Sequence, residues 1–122
     1  MVNPYQSYIK TELDSLPVAG IIAKGYDRII LELKSAIENI EKKNIRGKIG
    51  NISKALDILT TLRLGLDFEK GGDIAKNLEE LYAFCEREIQ LANLKNDVGR
   101  LRDVIKILDT VKSGWEELAA KS

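Results

Sequence analysis

The chain has no histidine among its 122 residues, so the commonest general base and the commonest transition-metal ligand are both missing. Its Asp and Glu residues are spread along helical faces, as solvating residues are. No Gly-x-x-x-x-Gly-Lys-Ser/Thr loop exists to cradle a nucleotide phosphate. An enzyme is therefore not expected and no cofactor is implied. A carboxylate di-metal bundle, which needs inward Glu-x-x-His pairs, is set aside for the same reason. One cysteine, Cys85, can form no internal disulfide and reads as a small apolar core residue. Lys plus Arg and Asp plus Glu both total 19, and this zero formal charge argues against a nucleic-acid partner. No run of about 18 apolar residues is present, so no membrane insertion is expected. The start, Met1-Val2-Asn3-Pro4, lacks the basic stretch and apolar core of a secretory signal, which points to the cytoplasm.

What the chain does have is helical periodicity. Residues 1–15 carry no sustained pattern and read as a short N-terminal arm, leaving 16–122 as a single domain. Pro17 suits the first turn of a helix, where its missing N–H has no partner to lose. Val18, Ile22, Tyr26, Ile29, Leu33, Ile37 and Ile40 then recur every three or four residues as one apolar stripe, up to a polar connection at 41–44. A second stripe runs through Ile45, Ile49, Ile52, Leu56, Leu59 and Leu66, stopping near Gly71-Gly72, where paired glycines permit a sharp reversal. Asp73 is placed to cap the next helix, with Ile74, Leu78, Leu81, Cys85, Ile89 and Ala92 on its stripe. A turn at 93–96 leads to Asp97 as the last cap. The fourth stripe comprises Val98, Leu101, Val104, Ile105, Leu108, Val111, Trp115 and Leu118. Four helices of similar length with short connections predict an all-α, antiparallel up-and-down four-helix bundle.

Several apolar residues fall off these stripes: Ile21 and Leu31 in the first helix, Ile58 and Leu64 in the second. Phe84 and Leu91, one heptad apart, do so in the third, and Ile107 in the fourth. Helices crossing at an angle bury wider arcs and would absorb them. Alternatively, they line grooves in which another amphipathic segment can lie.

The run from Leu66 to Tyr82 reads Leu-Asp-Phe-Glu-Lys-Gly-Gly-Asp-Ile-Ala-Lys-Asn-Leu-Glu-Glu-Leu-Tyr. With Tyr26-Asp27 upstream, Leu91-Ala92-Asn93 and Asn96-Asp97 downstream, and Trp115 near the end, it resembles the FliS family of flagellar secretion chaperones over nearly the whole chain. The first helix departs from that family's usual Ser-Pro opening, with Leu16 standing between Ser15 and Pro17. The resemblance implies a cytosolic export chaperone, monomeric or a weak homodimer. Its expected partners are the C-terminal segment of flagellin, kept from polymerising early, and a component of the flagellar type III export gate. Ile58, Leu62, Leu66, Phe84, Leu91 and Ile107 are the candidate flagellin-binding residues, with core packing as their competing role. Tyr5 and Tyr8, on the arm, are the candidates for covering the bundle and for gate contact. A self-associating structural or regulatory bundle is the alternative function.

Overall fold

A computed structural model describes residues 16–120 of the protein. It contains four helices: α1 (Leu16–Glu41), α2 (Ile45–Leu64), α3 (Phe68–Lys95) and α4 (Val98–Ala120), with no strand among the described residues. Connections of two or three residues fold each helix back along its predecessor. In the resulting ring α1 packs against α2 and α4, and α3 packs, less closely, against the same two. This is the expected antiparallel four-helix bundle.

Local chemistry sets the boundaries. Asn44 caps α2, its side-chain oxygen accepting from the Gly47 N–H at 3.1 Å. Asp97 does the same for α4, accepting from the Arg100 N–H at 3.3 Å. The cap of α3 is Asp67, which takes the N–H groups of Glu69 and Lys70, and not Asp73 as the sequence suggested. The reason lies in Gly72. Its φ of 51° and ψ of −127° break the helix without ending it, so one turn precedes the kink and needs its own cap. Asn96 closes α3 in the left-handed region, its N–H reaching the Ala92 carbonyl.

Tyr26, Ile29, Leu33, Leu59, Leu78, Tyr82, Ile89, Leu101, Leu108 and Trp115 form the centre of the core, each almost wholly buried. On α2 the buried line is Lys48, Ile52, Ala55 and Leu59. Ile45 and Ile49, assigned to the core stripe from their spacing, are instead 64 % and 51 % exposed. A lysine has taken the inward position that a hydrophobe would ordinarily fill. The side chains of Val18 and Leu118, also assigned to stripes, lie outside the described residues.

Candidate functional site

Two kinds of surface compete for attention. At the end carrying the α1–α2 and α3–α4 connections, polar side chains are drawn inward. Lys48 Nζ donates to the Asn93 carbonyl at 3.0 Å and to Asn96 Oδ1 at 2.7 Å, so α2 ties down the C-terminal turn of α3, where a cation is favoured. Asn51 Nδ2 donates to the buried Glu32 at 2.8 Å, and Asn39 Nδ2 donates to Asn51 Oδ1 at 2.6 Å. The Arg28 guanidinium lies 2.7 Å from the other Glu32 oxygen. Hydrogen bonding from Asn51, aided by Arg28, holds the Glu32 carboxyl below the usual carboxylate range, against the opposing effect of burial. A cleft opens at this end between Ile40, Lys43, Ile45 and Lys48, and none of the six candidate binding residues lines it. Among the described residues no group of three or more acidic or cysteine side chains is arranged to hold a metal ion.

The second kind of surface runs along the helices. Of the candidate residues, Phe84 is 39 % exposed, while Ile58, Leu62, Leu66, Leu91 and Ile107 are half-buried. None is sealed in the core, although Ile58, Leu62, Leu66 and Ile107 pack against its edge. They do not share one face. Ile58 and Leu62 abut Gly25, placing them on the α1/α2 side. Phe84, Glu88 and Leu91 follow one another at helical spacing, and Glu88 pairs with Arg100 of α4 at 2.8 Å. Ile107 lies one heptad beyond Arg100, so these residues belong to the α3/α4 side. Ion pairs of this length pin the helices together at mid-face: Arg63 meets Glu86 between α2 and α3 at 2.6 Å, and Lys112 meets Asp27 between α4 and α1 at 2.7 Å. The Asp27 carboxylate pushes the Lys112 ammonium above its ordinary range.

Sequence reasoning overlooked three features here. Exposed Phe68 and Leu94 extend the apolar surface, at 45 % and 78 % exposure. Buried Lys48 was also missed, because Ile45 and Ile49 fit the same stripe by spacing. Tyr5 and Tyr8 lie outside the described residues. No helix among the described residues is long and apolar enough to cross a membrane.

These observations define a four-helix bundle with partly exposed apolar residues on two opposite sides. The whole chain, residues 1–122, matches the family described as flagellar protein FliS, and the chain belongs to that family. It is 39 % identical over 125 residues to the flagellar secretion chaperone FliS of Vibrio cholerae, covering 97 % of this chain and 90 % of that one. It is 37 % identical over 84 residues to the flagellar secretion chaperone FliS of Salmonella typhimurium, covering 68 % and 62 %. The flagellar secretion chaperone FliS of Escherichia coli K12 is 27 % identical over 117 residues, covering 92 % and 86 %. This is a family of chaperones, and the protein is not an enzyme.

Proposed function

We propose that the protein is a cytoplasmic export chaperone that binds the C-terminal segment of flagellin, prevents its premature polymerisation and delivers it to the flagellar type III secretion apparatus. The observation that carries this reading is the placement of the candidate residues: apolar, accessible, and arranged along helices on two opposite sides of a preformed bundle. A disordered amphipathic segment gains more from laying its apolar face into such grooves than from remaining in water, and it orders as it binds. Release then follows from handover at the export gate, with Tyr5 and Tyr8 of the arm as the contact residues.

The test is calorimetric titration of the full chain with the flagellin C-terminal segment from the same genome, with a scrambled segment as control. Saturable one-to-one binding, a negative heat-capacity change and a gain of helix are expected. Phe84→Asp and Leu91→Asp should weaken binding far more than they lower the unfolding midpoint. Absence of binding, together with a stable oligomer that buries these residues, would replace this reading with a self-associating module.

A further inference from the structure

The chain is neutral only as a whole. Residues 16–64, spanning α1 and α2, hold nine Lys and Arg against five Asp and Glu, whereas residues 65–120 hold eight against twelve. One half of the bundle therefore carries an excess of four positive charges and the other an excess of four negative ones.

On the α1/α2 side three of these nine cations, Lys24, Arg28 and Lys54, stand beside an apolar floor. Ile58 and Leu62 lie against Gly25, where an added Cβ would stand 3.8 Å and 4.0 Å from them, so the two helices already approach closely. Ile21, 66 % exposed, continues this floor one turn earlier on α1. Lys24 and Arg28, one turn apart, border it on α1, and exposed Lys54 borders it on α2. The acid on this side, Glu32, is sunk between the helices and occupied by Asn51 and Arg28. Lys54 is close enough to contribute to holding the Glu32 pKa down. Beyond Glu32 and Asn51 the floor is interrupted by the amide chain of Asn39 and Asn44. From Ile58 to Leu66 the chain spans nine residues, the last two beyond the end of α2, so the helical part of the floor is about two turns long.

Resting on the reading of the protein as a flagellin chaperone, we infer that the α1/α2 groove selects a segment of its client with a two-turn apolar stripe flanked by acidic residues. The apolar stripe fills the floor and the carboxylates meet Lys24 and Lys54. The opposite half, with its negative excess, disfavours the same segment, so charge decides which part of the client lies on which side of the bundle.

The experiment reverses two rim charges, Lys24→Glu with Lys54→Glu, and measures binding of the flagellin C-terminal segment at about 50 mM and about 500 mM salt, where screening lengths differ severalfold. Both side chains are exposed, so the unfolding midpoint serves as the check that the fold is kept. The dissociation constant should rise about tenfold at low salt and much less at high salt. A segment whose acidic residues are changed to lysine should recover affinity for the reversed protein. Ile58→Asp, by contrast, should weaken binding at both salt concentrations. An unchanged or tighter constant for the reversed protein at low salt would overturn the inference while leaving the chaperone reading intact. Failure of the unaltered protein to bind the segment at all would remove the chaperone reading itself. Loss of a homodimer in sedimentation, with segment binding unchanged, would assign the positive side to a second copy and also overturn the inference.

Discussion

The middle of the bundle and the end with the α1–α2 and α3–α4 connections are held by different chemistry. Within the core Tyr26, Tyr82 and Trp115 meet ring to ring, with Tyr26 lying 6.2 Å from Tyr82 and 6.5 Å from Trp115 between centroids. The two tyrosine hydroxyls are hydrogen-bonded to each other in the core. At the end with the connections Lys48, Asn51, Asn93 and Asn96 take the corresponding role with amides and an ammonium. Rings tolerate small displacements, since burial is nearly non-directional. Hydrogen bonds in a partly dry site do not, and a lost partner leaves its mate unsatisfied. The ring cluster should therefore dominate overall stability, and the amide end should dominate how exactingly the helices are registered.

The largest effect expected is at the ring cluster. Trp115→Ala should cost about 3–5 kcal/mol, seen as a lower urea midpoint, because it empties a large volume in the core. Lys48→Ala should cost about 2–3 kcal/mol, since it strands the Asn93 carbonyl and Asn96. Its signature is local: amide exchange should quicken in the last turn of α3 before it does elsewhere. If Lys48→Met, which keeps the volume, were as stable as the parent, the distinction between the two regions would collapse. Tyr82→Phe removes one hydroxyl from a buried pair and should cost about 1 kcal/mol.

The smallest effects separate the two regions by pH. Glu32 has a lowered folded pKa, so its contribution is fully present above the ordinary glutamate range and fades as pH falls below about 4. Lys112 has a raised folded pKa, so its contribution is present below the ordinary lysine range and fades as pH climbs past about 10. Denaturation midpoints measured across both ranges should lose the acid-side slope in Glu32→Gln and the alkaline-side slope in Lys112→Met.

Much of this was legible in the sequence. Stripes of period three to four located all four helices, but the reversal assigned to Gly71-Gly72 lies at residues 65–67, and Gly72, with its φ of 51°, kinks α3 instead. The errors come from residues whose role depends on a distant partner. Ile45 and Ile49 fit the α2 stripe by spacing, but Lys48 lies inward because the end of α3 offers it a carbonyl and an amide oxygen. Nothing local on α2 announces that offer. Gly47 is a similar case: an added Cβ would stand 2.7 Å from the Asn39 amide, a constraint set from α1. For the candidate surface, sequence reasoning picked out residues that remain partly accessible. It did not separate those beside Gly25 from those beside Arg100, because spacing along one helix does not name the neighbouring helix.

Cys85 is buried in the core, and its thiol is pushed up to about 12, chiefly by burial and further by Glu88. A thiol held protonated and out of reach does not take part in alkylation or exchange at neutral pH. The protein therefore comes with a silent background for thiol chemistry. A cysteine placed at position 24, 54 or 84 would be its one modifiable sulfur, and a probe attached there would report from a chosen side of the bundle without any need to remove the native residue.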